Sequence, residues 1–170
     1  MSFLSVLPML LDSTGTAAAL LGAAPRGTCA EHWLCEHPEV LISLQKKYLE
    51  AGLQALCVPT AGANAIHLAE YELQDAVAEI NQKLLTVSKT AFPGVPIGGG
   101  LGSTGLFVPP LGDADFDDIY DCYREQVRAL EDGGADFLFV ESQSSLADMR
   151  AAVLAARTTN LPVFVSITVD

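Results

Sequence analysis

The feature that most constrains the fold is an alternation of short apolar runs with longer segments of helical period. Apolar residues recur every three or four positions in the longer segments, and Gly, Pro or Asp residues bound the short runs. This alternation predicts the order β-α-β-α-β-α-β-α-β, typical of a parallel sheet with right-handed crossovers. The predicted strands are residues 6–11, 55–58, 95–100, 136–141 and 163–169, and the predicted helices are residues 38–51, 68–91, 116–132 and 146–158.

This order predicts an α/β fold in which parallel βα units form an incomplete (β/α)8 TIM barrel of about five strands and four helices. A closed barrel needs about 250 residues, and this chain has 170. We expect residues 1–170 to form a single partial barrel domain, because no low-complexity linker divides them. A five-stranded flavodoxin-like sheet also suits the length, but it would require a non-sequential strand order and a final helix.

Composition disfavours several classes of partner. The chain has 21 acidic and 9 basic residues and a net charge of -12, which disfavours nucleic acid and anionic membranes. No apolar run reaches the roughly 20 residues of a membrane span, and the N-terminus lacks the basic start of a secretory signal. We therefore expect a cytoplasmic protein without nucleic-acid or membrane partners.

The cysteines indicate thiols rather than a disulfide framework, because no C-x-x-C spacing occurs. Cys57 lies in an apolar run and is predicted to be buried. Cys29 and Cys35 could form a metal site with His32 and His37, although Cys and His residues in loops often meet by chance.

Polar residues end the predicted strands, at the edge where parallel α/β sheets bind ligands. Asp12 and Glu141 close apolar strands, and carboxylates there must be paired or hydrogen-bonded. The two acids could hold the ammonium group of an amino acid, or they could cap neighbouring loop amides. Thr60 and residues 102–104 follow other strands at the same edge.

The G-x-G-x-x-G pattern at residues 100–105 does not predict a dinucleotide site. Residues 106–110 contain two prolines, so no helix begins there to receive a pyrophosphate. The glycines indicate a close approach of backbone to a small ligand, or a tight turn. His67 lies just before the second predicted helix, where a lone histidine is usually a surface or helix-start residue, and no nucleophile elbow supports hydrolysis.

The chain resembles the amino-terminal part of the homocysteine S-methyltransferase family, which includes the N-terminal barrel domain of cobalamin-dependent methionine synthase. Segments similar to the family's motifs follow one another in order through nearly the whole chain. They are LLD at residues 10–12, GT at 15–16, YLEAG at 48–52, TAGAN at 60–64, GGLGSTG at 99–105, FLFVES at 137–142 and LPVFVSIT at 161–168.

The resemblance implies a barrel that binds homocysteine and methylates its thiol to give methionine. It implies that Asp12 and Glu141 hold the substrate's amino group. The other substrate-binding residues that it implies are Thr60, Asn64, Gly102, Ser103 and Thr104. Complete family members are expected to use zinc held by three cysteines and a cobalamin or folate methyl donor. Because the zinc cysteines of the family lie on later strands, we expect no bound cofactor, metal ligand or catalytic residue in this chain alone.

Two interpretations of an incomplete barrel remain open. The chain could be part of a methyltransferase that needs a complementary barrel half for activity. Alternatively, it could be a non-catalytic, homo-oligomeric binding or assembly module, because five strands leave open edges that stable proteins cover.

Overall fold

The computed structural model describes residue 22 and residues 24–168. Among these residues, no helix is both long enough and apolar enough to cross a bilayer. The first predicted strand, residues 6–11, lies outside the described residues. In chain order the described elements are α1 (Ala30–Glu36), α2 (Pro38–Glu50), β1 (Leu56–Val58), α3 (Ala65–Ala69), a 3₁₀ helix (Gln74–Ala76), α4 (Val77–Ala91), β2 (Ile97–Leu101), α5 (Phe116–Asp132), β3 (Leu138–Gln143), α6 (Leu146–Ala156) and β4 (Val163–Ile167).

The described strands form one parallel sheet in the order β1-β2-β3-β4. Because each strand lies beside the next one in sequence, right-handed crossovers place the connecting helices on one face, as in a barrel wall. The parallel βα architecture predicted from sequence is therefore confirmed. The flavodoxin-like alternative is wrong, because it would insert the first strand between β1 and β2.

The two faces of the sheet pack differently. The outer face joins the helices in the larger apolar core, where Leu56 and Leu138 are fully buried together with Leu84 of α4 and Val127 of α5. Full burial of one such side chain contributes about 1.5–3 kcal/mol. The inner face carries a smaller cluster of Ala55, Cys57, Phe137, Phe139 and Phe164. The prediction that Cys57 is buried is confirmed.

Strand β2 consists mostly of glycine, and larger neighbouring side chains fill the space that its own side chains would occupy. A Cβ atom on Gly98 would overlap the ring of Phe137, and one on Gly99 would overlap the side chain of Leu130. Residues of β2 are therefore buried on both faces although they contribute little side-chain surface.

Helix α5 has the bounds that the sequence predicts. The Oδ1 atom of Asp115 accepts a hydrogen bond of 2.8 Å from the backbone N–H of Asp117, which caps the first turn. Ile119, Tyr123 and Val127 recur at helical spacing and are fully buried. Gly134 then adopts a φ of 79°, which ends the helix in the left-handed region that favours glycine.

Two helix predictions differ from the structure. The single helix predicted over residues 68–91 is wrong, because the chain turns between α3 and the 3₁₀ helix that precedes α4. Glu72 takes a φ of 60° in this turn, and the backbone N–H of Leu73 bonds to the carbonyl of Leu68 at 3.0 Å. Helix α1 occupies a segment for which the sequence predicts no helix.

Candidate functional site

Thr60 joins the carboxyl ends of β1 and β2. Its buried hydroxyl donates to the carbonyl of Gly100 and accepts from the backbone N–H of the same residue, both at 2.9 Å. The Nε2 of Gln126 on α5 donates to the carbonyl of Thr60 at 2.6 Å. These bonds fix where the first two described strands end and where their loops begin.

Asn64 begins α3, and His67 links this helix to the loop after β2. The buried Oδ1 of Asn64 accepts a hydrogen bond of 3.0 Å from the backbone N–H of His67, which is an N-cap. The Nε2 of His67 lies 2.9 Å from the carbonyl oxygen of Ser103 and donates to it in the tautomer that this contact selects. His67 lies inside α3 rather than just before a helix, and its bond to the loop after β2 was not predicted.

Asp148, in the first turn of α6, holds the loop at residues 102–104. Its carboxylate is fully buried. The Oδ2 atom accepts from the Ser103 hydroxyl at 2.6 Å and from the Thr104 backbone N–H at 3.0 Å. The Oδ1 atom accepts from the Thr104 hydroxyl at 2.8 Å. Charge-assisted hydrogen bonds of this kind stabilise a carboxylate that burial would otherwise penalise.

Tyr123 of α5 packs against the same carboxylate. Its hydroxyl lies 2.8 Å from the carbonyl oxygen of Gly102 and 3.1 Å from Oδ1 of Asp148, and it can donate to both. Burial is the main cause that raises the pKa of Tyr123 above its ordinary value, and the negative charge of Asp148 is the second. The phenol therefore stays protonated and remains a donor throughout the neutral range.

Strand β3 contains a bulge near its carboxyl end. Val140 pairs with Val165 and Gln143 pairs with Ile167, so β3 has one residue more than β4 over this stretch. Ser142, within the bulge, has a φ of 53°. Because Val165 and Ile167 share a face of β4, their partners Val140 and Gln143 share the outer face of β3.

Gln143 uses this position to reach the Asp148 cluster. In the orientation that satisfies its amide, Nε2 donates to Oδ2 of Asp148 at 3.1 Å and Oε1 accepts from the backbone N–H of Ser103 at 3.3 Å. The cluster therefore joins the end of β3, α5, α6 and the loop after β2.

Glu141 lies on the opposite, inner face of β3. Alternation along the strand places it on the same face as Phe137 and Phe139. Glu141 is buried, with only 2% of its surface exposed. A carboxylate in such surroundings needs a cation or hydrogen-bond donors around it. The other predicted acid, Asp12, lies outside the described residues.

A cleft of about 340 Å³ opens at the carboxyl edge of β1 and β2. Gly102 lies at its floor, where its backbone N–H donates to the carbonyl of Ala61 at 3.2 Å. A Cβ on Gly102 would lie 2.9 Å from that oxygen, so the contact between the two loops requires glycine. The residues lining the cleft are Thr28, Ala30, Glu31, Ala61, Gly62, His67, Glu70, Tyr71, Gly102 and Ser103.

Two further observations define this edge. Residues 102–108 contain no helix, as expected from the prolines that follow the glycine pattern. A second cleft of similar volume lies beside Lys89 and Asp136, where β2 and β3 begin, and parallel sheets bind ligands at the other edge.

The described residues contain no group of three His, Cys, Asp or Glu side chains placed to hold a metal ion. The possible site of Cys29 and Cys35 with His32 and His37 is therefore wrong. Burial raises the pKa of Cys29 to about 11 and that of Cys35 to about 12. Both thiols are protonated at neutral pH, whereas a metal ligand must be a thiolate.

The sequence matches the family model described as homocysteine S-methyltransferase over residues 9–170. Methionine synthase of Mycobacterium tuberculosis is 32% identical over 146 residues, and that of Mycobacterium leprae is 29% identical over the same length. Each match covers 78% of this chain and 12% of the relative. The chain thus spans a small part of the curated relatives that it matches.

The fold is shared with the homocysteine methyltransferase MmuM from Escherichia coli. Its oxidized form superposes with a TM-score of 0.77 at 18% identity, covering 95% of this chain and 62% of that chain. Its metallated form gives a TM-score of 0.71 at 21% identity, covering 90% of this chain and 61% of that chain. These likenesses confirm the predicted fold class, that of a partial (β/α) barrel.

Proposed function

Because the chain belongs to the homocysteine S-methyltransferase family, we propose that it forms the homocysteine-binding part of an enzyme that transfers a methyl group to the homocysteine thiol. Such an enzyme must hold the amino acid by its charged end and leave the sulfur accessible to a methyl donor. We propose that this chain holds the charged end of homocysteine. None of the described residues is proposed to bind the methyl donor.

The observation that carries the proposal is the buried carboxylate of Glu141 near the carboxyl end of β3. Barrels of this type bind their ligands at that edge. A carboxylate shielded from water attracts an ammonium group more strongly than one at the surface does. Phe139, which is half-buried, shares the face of Glu141 and provides apolar surface for the methylene groups of the substrate. Asp12 is proposed as the second acid.

The remaining predicted residues are proposed to shape the walls of the site. The Thr60 hydroxyl joins two strands, Asn64 caps α3, and Ser103 and Thr104 donate to Asp148. The Nδ2 group of Asn64 is buried without a hydrogen-bond partner among the described residues. The other polar groups named here already bond within the protein, so their contribution is the position of the loops. Gly102 contributes the close approach of one loop to the other.

The family resemblance also implies zinc, which when bound would convert the homocysteine thiol to a thiolate. The described residues do not fit this ion, because they contain no suitable ligand group and the pKa values of Cys29 and Cys35 are raised. We therefore propose that these residues bind homocysteine without activating its sulfur.

Calorimetric titration of the chain with homocysteine under reducing conditions tests the proposal. We expect binding by the wild type and a loss of about 10- to 100-fold in affinity for Glu141→Gln, because a hydrogen bond to a charged group is removed. Glu125→Gln, an exposed residue of α5, is the matched control and should bind like the wild type.

A second ligand isolates the ammonium group. The analogue 4-mercaptobutanoate lacks the amino group of homocysteine and keeps the thiol and the carboxylate. The wild type should bind it weakly, and Glu141→Gln should weaken it no further. Absence of homocysteine binding, or equal losses for both ligands in Glu141→Gln, would refute the proposed role of Glu141.

A second candidate function is assembly with another copy of the chain or with a complementary barrel half. It is supported by β4, the last strand of the described sheet, where Val165 is 45% and Ile167 is 48% exposed. Large apolar residues on an edge strand favour association. Light scattering should detect a species larger than a monomer that Val165→Lys disrupts and Leu111→Lys, in an exposed loop, does not. A wild type that stays monomeric at all concentrations speaks against this function.

A further inference from the structure

We propose that Asp148 is a positioning residue of the substrate site, whose ionised carboxylate holds the loop at residues 102–104 in its binding conformation. The inference rests on the proposed function, because it concerns one wall of the same site. Asp148 lies on the outer side of the sheet and acts on the substrate only through the loop.

The first argument is that every contact of the carboxylate described here is a donated hydrogen bond. The donors are the Ser103 hydroxyl, the Thr104 backbone N–H, the Thr104 hydroxyl, the Tyr123 hydroxyl and the Gln143 amide. An ionised carboxylate accepts at both oxygens, whereas a protonated one must donate at one of them. The ionised form of Asp148 can accept all five of these hydrogen bonds at its two oxygens.

The second argument is that the carboxylate determines the shape of the loop. The hydroxyl oxygens of Ser103 and Thr104 also accept from the backbone N–H groups of Gly105 and Leu106, at 3.2 and 3.3 Å. Because Asp148 takes the hydroxyl protons, the lone pairs of both oxygens turn toward these amides. The charge on Asp148 thus fixes the backbone of four successive residues.

The third argument is that the loop held in this way forms part of the cleft. Gly102 and Ser103 line it, and the carbonyl of Ser103 receives the hydrogen bond from His67 on the opposite wall. A loop released from Asp148 would break this bridge and widen the cleft. A substrate would then lose contacts although none of its atoms touches Asp148.

The fourth argument is that α6 provides a suitable environment for the charge. Ser145 is the N-cap of α6, and its hydroxyl accepts from the backbone N–H of Asp148 at 3.4 Å. An acid in the first turn of a helix is stabilised by the unpaired N–H groups and the helix dipole. The same geometry supplies a control, because Ser145→Ala weakens the cap and leaves the carboxylate in place.

The experiment compares Asp148→Asn with Ser145→Ala in the 170-residue chain by homocysteine titration well below both melting temperatures. Asp148→Asn keeps the shape and removes the charge, and we expect it to bind homocysteine about tenfold or more weakly. Ser145→Ala should melt earlier than the wild type and bind homocysteine equally well. Asp148→Glu, which restores the charge, should recover part of the affinity.

Amide hydrogen exchange supplies a readout independent of the ligand. The backbone amide of Thr104 should exchange faster in Asp148→Asn and at the wild-type rate in Ser145→Ala. Only the first variant removes the charge from the carboxylate that accepts its hydrogen bond. If Asp148→Asn does not fold, Thr104→Val removes one donor, and it should weaken homocysteine binding by about threefold.

The outcomes separate this inference from the proposed function. If the wild type binds homocysteine and Asp148→Asn binds it equally well, the positioning role is wrong and the proposed function stands. The same conclusion follows if Thr104→Val, used in its place, binds normally. If the wild type does not bind homocysteine, the proposed function fails and the inference fails with it, whatever the exchange data show.

Discussion

Removal of one hydroxyl group tests whether the Asp148 cluster stabilises the fold as its geometry implies. Tyr123→Phe keeps the buried ring and deletes the oxygen that faces both the Gly102 carbonyl and the Asp148 carboxylate. A hydrogen bond to a charged group contributes about 1.5–3 kcal/mol, and the buried acceptors left behind add to the loss. We expect the free energy of unfolding to fall by about 2 kcal/mol, which corresponds to roughly 4–8 °C in melting temperature for a domain of this size.

The matched control lies on the same helix. Tyr120 is half-buried, its ring contacts the Arg124 guanidinium at 5.6 Å, and its hydroxyl takes no part in the hydrogen bonds of the described residues. Tyr120→Phe should change the free energy of unfolding by less than about 0.5 kcal/mol. Urea denaturation followed by circular dichroism measures both variants. Equal unfolding midpoints for the two variants would refute the stabilising role of the Tyr123 hydroxyl.

Three further predictions concern other parts of the chain. Gly98→Ala should lower the free energy of unfolding by about 1–3 kcal/mol, because the new methyl group overlaps the Phe137 ring; strictly additive effects with Phe137→Leu in a double-mutant cycle would contradict this. Asp115→Ala should cost about 1 kcal/mol through the lost helix cap, whereas Asp113→Ala in the exposed loop should leave urea unfolding unchanged. Because burial raises the pKa of Cys29 from 9.0 to about 11, the unfolded thiol ionises first. Stability should therefore fall as pH rises through that window, and less steeply in Cys29→Ala; parallel curves of urea midpoint against pH would be the contrary result.

The sequence predicts an element well where local signals agree with one another. Around α5, a capping Asp, a regular apolar period and a Gly pair indicate the same bounds, and tertiary contacts do not override them. The segment at residues 68–91 also has a helical period, but a turn with Glu72 at positive φ interrupts it. Nothing in local composition marks that turn, because Glu rarely adopts such a conformation.

The candidate site was predictable only in part, for a similar reason. Parallel strands end at a common edge, so the sequence could place Thr60 and residues 102–104 there without coordinates. It could not identify Asp148, because a lone acid near a helix start is usually solvated, and its loop partners are 44 and 45 positions away. The burial of Asp148 is a property of the assembled loops.

The bulge in β3 determines which face of the sheet two neighbouring residues, Glu141 and Gln143, point to. In a regular strand Glu141 and Gln143 would point in the same direction, since they are two positions apart. The additional residue sends the acid toward the interior and the amide toward the helical layer. Removal of Ser142 would restore regular alternation, with the acid and the amide still on opposite faces of the sheet. A related sequence could therefore lack the additional residue and keep both side chains on the same faces, whereas an alignment gap misplaced by one position would equate residues from opposite faces of the sheet.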